Sequence, residues 1–250
     1  MIVVVVLHFR FFFACCSISL YFAVTSGRAL CTIVSLNVRG LRDANKRRSI
    51  FLYLKDLKAE FYFLQETYSS VNDEMVWRNE WGGEILFSHG SQHSRGVCVL
   101  IHSSVSAKVE CVHRDSLGRI LVMSATFDSM KLSLCNIYAP NNNSDQLLFI
   151  QDLNNQLVDK SELTSLIIGG DWNCALQKDD KKGGVPWGPT NYKNRILITM
   201  DALDLEDLYT KRHPKLNKYS YTSKVVNVKS RIDYFRISEE TCLNLSKKLT

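Results

Sequence analysis

Three carboxylates stand directly after, or inside, strongly apolar runs. Glu66 follows Phe61-Tyr62-Phe63-Leu64-Gln65, and Asp171 follows Leu166-Ile167-Ile168-Gly169-Gly170. Asp233 lies within Ser230-Arg231-Ile232-Asp233-Tyr234. Acids at the ends of several strands can converge at one edge of a sandwich. There they could hold Mg2+, a hard ion that takes oxygen ligands and keeps waters for a phosphate substrate. Taken singly, each reads first as an N-cap or a solvated turn acid. Amides and a phenol stand beside them. Asn37 ends a β-branched run, and Asn173 lies two residues after Asp171 in Gly169-Gly170-Asp171-Trp172-Asn173. On an extended segment that spacing puts both side chains on one side, and the paired glycines let the backbone turn closely before the acid. Asn136 and Tyr138 close another strand-like run, which Pro140 stops.

These residues need strands to carry them, and the pattern supplies strands alternating with helices. Cys31–Leu36 and Phe61–Gln65 read as strands, as do Glu84–Phe87, Gly96–His102, Ala107–His113, Arg119–Phe127 and Lys131–Tyr138. Leu163–Ile168, Tyr219–Thr222 and Arg231–Ile237 complete the set. Lys46–Lys58 has Ile50, Leu54 and Leu57 on one face and reads as an amphipathic helix. Asn72–Glu80, Ser144–Val158 and Tyr192–Leu203 are the other helix candidates. Strands outnumber helices and the helices are interspersed. The expected architecture is two sheets packed face to face with helices outside, in one domain.

Composition agrees with a globular domain. The chain has 250 residues, of which 46% are apolar and 22% charged, which rules out disorder, collagen and coiled coil as the main state. The net charge of +6 permits a polyanionic partner without requiring one. The eight cysteines form no CxxC pair and none has a histidine at metal-ligand spacing, so buried free thiols are expected rather than a zinc site or a disulfide framework. All but four of residues 1–24 are apolar, the exceptions being His8, Arg10, Ser17 and Ser19. The segment 1–30 reads as a signal-like stretch, a membrane anchor interrupted by Arg10, or an extension foreign to the domain, which is taken as 31–250.

The segments Ser35–Leu41, Leu64-Gln65-Glu66-Thr67, Asn136–Pro140, Gly169–Asn173 and Ser230–Tyr234 together resemble the endonuclease/exonuclease/phosphatase superfamily, which includes exonuclease III and apurinic/apyrimidinic endonucleases. They look most like the endonuclease domain of LINE-type non-LTR retrotransposons. One such segment alone would be weak; five in order over about residues 31–240 are strong. The resemblance implies a four-layered α/β sandwich, two packed mixed sheets flanked by helices, and Mg2+-dependent (or Mn2+-dependent) phosphodiester hydrolysis of DNA without a small-molecule cofactor. It implies that Glu66 and Asn37 hold the metal. Asp171 would activate the attacking water, Asn173 and Tyr138 would contact the phosphate, and Asp233 would orient a histidine. A nuclear or cytoplasmic location follows from the same resemblance, a secretory or membrane one if residues 1–27 act as a targeting segment.

Arg39, Arg42, Lys46, Arg47 and Arg48 follow the Asn37 segment and could bind flanking phosphates, or could line a solvated helix face. Lys211, Arg212, Lys215 and Lys218 form a second basic stretch. Trp172 and Trp187 could touch bases or pack within the fold. One feature departs from the family pattern, which closes with Ser-Asp-His on a final strand. The sequence ends at Thr250 without it, and none of the histidines 8, 89, 93, 102, 113 and 213 follows an aspartate. The expectation is a domain lacking its last strand, with one sheet unpaired at an inner position and activity much reduced; the alternative is a catalytically inactive nucleic-acid-binding or scaffold remnant of such a nuclease.

Overall fold

The computed structural model describes residues 2–4, 7–12, 15–26, 28–127, 130–158, 163, 165–207, 210, 219–223, 227–238 and 241. The basic stretch at 211–218 lies outside them. In chain order the elements are β1 (Ile2–Val4), β2 (Leu7–Phe12), β3 (Cys15–Ser26), β4 (Arg28–Asn37), α1 (Ala44–Asp56), β5 (Phe61–Gln65), α2 (Glu74–Trp81), β6 (Glu84–Ser88) and β7 (Val97–Ile101). There follow β8 (Lys108–Arg114), β9 (Ile120–Phe127), β10 (Met130–Tyr138), α3 (Asn143–Leu157) and β11 (Leu166–Asp171). The last elements are β12 (Lys181–Lys182), α4 (Asn191–Ala202), β13 (Tyr221–Ser223), β14 (Val228–Ser230) and β15 (Asp233–Ile237).

One sheet runs β1-β3-β4-β5-β7-β6 with β2 beside β3, the second runs β15-β11-β10-β9-β8, and a small third sheet is β12-β14-β13. The inner faces of the two large sheets pack on each other through Phe61, Phe63, Val99, Leu121, Met123, Leu134, Ile167 and Phe235. Outside the first sheet, α1 and α2 bury Phe51, Leu54, Trp77 and Trp81 against Tyr62, Leu64 and Leu100. Outside the second, α3 and α4 bury Phe149, Ile150, Leu153, Ile196 and Met200 against Ile137 and Ile168. Helix, sheet, sheet and helix are therefore the four layers expected. Strands sandwiched between another sheet and a helix layer are apolar on both faces, which is why β5, β7 and β11 are buried at every position.

The helices start where side chains cap them. Asp43 accepts from Lys46 N ahead of α1, Asn142 from Asp145 N ahead of α3, and Thr190 from Lys193 N ahead of α4.

Three features differ from the expectation. The far edge of β4 is not left bare: β3 pairs with it antiparallel from Leu20↔Ser35 to Ser26↔Arg28. β11 begins at Leu166, not Leu163, and runs through both glycines to Asp171. The glycines serve packing inside the strand rather than a turn. A Cβ on Gly169 would meet the Phe235 ring at 2.2 Å, and one on Gly170 (φ +133) would meet the Ile137 carbonyl oxygen at 2.1 Å. The small third sheet carries two strands, β12 and β14, with no apolar alternation to announce them. Among the described residues, no helix is long and apolar enough to cross a membrane. Cys98, Cys135 and Cys174 are buried free thiols, and Cys111 is a half-buried one.

Candidate active site

Five strands end at one rim, and the pairing fixes which residues meet there. Asn37 pairs with Gln65 at the parallel ends of β4 and β5. Tyr138 pairs with Asp171 across β10 and β11, and Asp171 faces Asp233 across the antiparallel pair β11–β15. The two sheets are tied just beneath this rim. Gln65 Nε2 donates to Asn136 Oδ1 at 2.8 Å, and Asn136 Nδ2 donates to the Leu64 and Cys98 carbonyls. Asn136 is thus a fully buried strap between the sheets, one that fixes β5 and β10 relative to each other.

At the rim, Asn37 Nδ2 donates to Glu66 Oε1 at 2.8 Å and to Asp171 Oδ2 at 3.0 Å. Two carboxylates from different sheets therefore approach one nitrogen. Glu66 sits just past β5 at a left-handed φ of 54°, held by Gly40 N donating to its carbonyl and Thr67 N donating to Gly96 O. Tyr68 donates its hydroxyl to Glu66 Oε2 at 2.9 Å. Glu66 also acts on the Tyr138 phenol, helping burial to keep it protonated. Asn173 is not on an extended segment. At φ 47° it caps the end of β11, its backbone N–H donating to Asp171 Oδ1 at 2.9 Å and its Nδ2 to the Ala139 carbonyl at 2.6 Å. Trp172 between them points inward and is fully buried. Asp233 is held through its backbone, its N–H donating to Ser220 Oγ.

Burial raises the Asp171 carboxyl above its ordinary range, and the neighbouring Glu66 raises it further, while the Asn37 and Asn173 donors and Arg39 oppose the rise. Burial and the facing Asp171 push Asp233 up as well. Burial pushes Tyr68 up to about 12 with Glu66 adding to the rise, and Tyr138 rises for the same two reasons, so both phenols stay protonated donors. Two carboxylates brought to one point attract a cation once ionised, and their donors are hard oxygens. The Glu66 and Asp171 oxygens fit Mg2+ better than a soft metal; the Asn37 amide turns its nitrogen to them and its oxygen to Arg39 N at 3.2 Å, so it would join the shell only by turning over. Among the described residues no three histidine, cysteine, aspartate or glutamate side chains form a metal-binding group, so the amide and waters would complete any such shell.

The basic residues divide sharply. Arg39 is exposed, at φ 47°, and its charge favours the ionised forms of Asp171, Asp233 and Tyr68. Arg42 is exposed. Arg47 is not on the open face: it is 5% exposed, bidentate to Glu80 at 2.6 and 3.0 Å, and stacked over Trp77. It fastens α1 to α2. Arg48 shares Glu80 at 3.1 Å, from a solvent-facing position. Trp187 is half-buried, donating to the Ala175 carbonyl, with Lys193 Nζ 4.8 Å from its ring centre.

Beside the carboxylates opens a cleft of about 580 Å3, lined by Asn141, Asn173, Lys181, Lys193, Tyr192 and Tyr221 among others. The N-terminal ends of α3 and α4 both reach it, through Asn143 and Gln146 and through Thr190 and Lys193. Helix starts and lysines make this wall favourable to anions. The sequence reading missed Asn141, Tyr68 and Lys193. Asn141 directly follows the Tyr138-Ala139-Pro140 stop and Tyr68 lies two residues past Glu66, so proximity was a usable signal for both; Lys193 had none.

The sequence profile described as the Endonuclease/Exonuclease/phosphatase family matches residues 34–239. A relative from Xenopus laevis, the Transposon TX1 uncharacterized 149 kDa protein, is 27% identical over 190 residues, covering 76% of this chain and 14% of that protein. Among solved structures, the AP endonuclease LMAP from Leishmania major superposes with a TM-score of 0.68 at 19% identity, over 84% of this chain and 80% of that one. The endonuclease domain of TRAS1, a telomere-specific non-LTR retrotransposon, superposes with a TM-score of 0.58 at 14% identity, over 83% and 84%. At these identities the structural likeness establishes the fold.

Proposed function

The chain belongs to the endonuclease/exonuclease/phosphatase family, a nuclease and phosphodiesterase-type hydrolase fold, and from that premise we propose that it is a Mg2+-dependent phosphodiesterase acting on DNA. The observation that carries the reading is the single Asn37 nitrogen shared by Glu66 and Asp171, which brings the acids of two sheets to one point. DNA as substrate is supported by the telomere-specific element among the structural relatives and by the exposed Arg39 and Arg42 beside the site.

A phosphodiester is anionic, and two carboxylates alone would repel it. Glu66, Asp171 and Asn37 would hold the cation, which when bound supplies Lewis-acid neutralisation of phosphate charge. Asp171, at the end of β11 beside the cation's place, would also take the proton of the attacking water. Asn173 is held beside it by two hydrogen bonds and presents its amide at the mouth of the cleft, where a phosphate oxygen would lie. Tyr138 stays a neutral donor and would contact the phosphate. Asp233, raised well above its ordinary range by burial and by the facing Asp171, lies opposite Asp171 across the β11–β15 pair. The cleft would take the nucleotide next to the broken bond.

The test is nicking of supercoiled plasmid and cleavage of labelled duplex DNA by the purified chain, with Mg2+ or with EDTA. Metal-dependent cleavage that falls by about 10²–10⁴ in Glu66→Gln and Asp171→Asn supports the proposal. Cleavage indifferent to EDTA and to both substitutions refutes it. Salt-dependent DNA binding without cleavage by any variant identifies the chain as a binding remnant instead.

A further inference from the structure

Glu66 is held by both of its oxygens, and the two holds differ. Oε1 accepts from Asn37 Nδ2, the nitrogen that also reaches Asp171, so Oε1 is the oxygen on the Asp171 side. Oε2 accepts from the Tyr68 hydroxyl at 2.9 Å on the other side. The contact is built. Glu66 and Tyr68 both take left-handed φ values, 54° and 57°, which for residues with side chains costs on the order of 1 kcal/mol each. Four backbone hydrogen bonds hold that turn: Gly40 N to Glu66 O, Leu41 N to Thr67 O, Thr67 N to Gly96 O and Tyr68 N to Arg95 O. The Tyr68 ring lies on the backbone of Gly40, where a Cβ would come within 2.7 Å of Cδ2. From that place its hydroxyl donates to Glu66 Oε2.

We propose that Tyr68 is a positioning residue that pins Glu66 Oε2, offers Oε1 alone to a cation, and thereby makes the site prefer Mg2+ over Ca2+. The inference rests on the metal-binding reading of Glu66 given above. Its physical basis is coordination. Mg2+ takes single oxygens in a compact octahedron, whereas Ca2+ accepts a carboxylate through both oxygens and tolerates irregular shells. A hydroxyl donating to Oε2 ties up that oxygen and fixes the carboxylate plane. Partners of this outer kind typically change metal affinity by about 10–100-fold.

The experiment is calorimetric titration of the metal-free chain with Mg2+ and separately with Ca2+, for wild type, Tyr68→Phe and Glu66→Gln. The phenylalanine ring keeps the Gly40 contact, so the melting temperature of Tyr68→Phe in EDTA should fall by no more than the few degrees that the loss of one hydrogen bond brings. Its Ca2+ to Mg2+ affinity ratio should rise about tenfold. An unchanged ratio, an equal loss for both ions, or a marked drop in metal-free melting temperature overturns the inference. If Glu66→Gln binds Mg2+ as wild type does, the metal-binding reading itself fails. If Glu66→Gln loses binding while Tyr68→Phe keeps the wild-type ratio, only the role of Tyr68 fails.

Discussion

Asp171→Asn should abolish cleavage and yet stabilise the metal-free protein at neutral pH. Asp171 is buried, faces Asp233 and approaches Glu66, and its carboxyl is pushed up from 3.8 to about 6. Ionising it in the native state therefore costs about 3 kcal/mol more than in the unfolded chain, at 1.36 kcal/mol for each tenfold change in proton affinity. Asparagine removes that cost. It also gives up one good hydrogen bond, because the oxygens that accept from Asn37 and from Asn173 N become one oxygen and one amide nitrogen, a loss of about 1 kcal/mol. The net gain above pH 7 is about 1–2 kcal/mol, or ~2–8 °C in melting temperature for a chain of this size. The sign follows from proton binding. Between about pH 4 and about pH 6 the native state of the wild type keeps a proton that the unfolded chain has released, so wild-type stability from this group falls as pH rises through that window. At pH 4 the native carboxyl is protonated and the unfolded one only about half ionised, so most of the ionisation cost is gone, the lost hydrogen bond outweighs what is left, and the variant should be the less stable of the two. Calorimetric melts in EDTA at pH 4, 6 and 8 measure this. A variant less stable than wild type by the same margin at pH 4 and pH 8 would refute the reasoning. Saturating Mg2+ should raise the wild-type melting temperature and leave the variant nearly unmoved.

The remaining predictions concern support and surface. Arg231→Ala should cost about 3–5 kcal/mol in urea unfolding, because Arg231 is buried between Asp180 and Asp207 and its loss strands two buried acids. Gly170→Ala should cost more than about 2 kcal/mol, since φ +133 and an Ile137 carbonyl at 2.1 Å leave no room for a methyl group; thermal melts read it directly. Arg39→Ala should reduce the slope of log affinity for duplex DNA against log salt by about 1, measured by fluorescence anisotropy. Arg47→Ala should leave that slope unchanged and lower stability instead, because its guanidinium is paired with Glu80 inside the fold.

Much of the fold was legible because periodicity reports burial, and burial is what layers impose. Strands covered on both faces read as continuous apolar runs, and β5, β7 and β10 were placed within a residue or two. The short β12 and β14 were not legible, since they are held by pairing with each other, β14 also pairing with β13, and carry mostly lysine and serine. The start of β11 was misplaced because Leu163 is apolar without being in the sheet. Glycine-rich ends hide strands too: Gly169 and Gly170 look like a turn, and only the Phe235 ring lying over Gly169 shows why they belong inside one.

The site divides along the same line. Residue type and order alone singled out Asn37, Glu66, Tyr138, Asp171, Asn173 and Asp233, because a carboxylate or amide ending an apolar strand is a local pattern. Tertiary structure alone decided how they meet. Sequence does not say that Asn37 bridges acids from two sheets, that Asp171 lies opposite Asp233, or that Asn136 ties the sheets rather than facing a substrate. Nor does it separate Arg47, sealed against Trp77 and Glu80, from Arg39 on the open face. A sequence carries the chemistry of each side chain, but proton affinity, pairing and direction depend on neighbours brought from distant parts of the chain, and those exist only once the layers have packed.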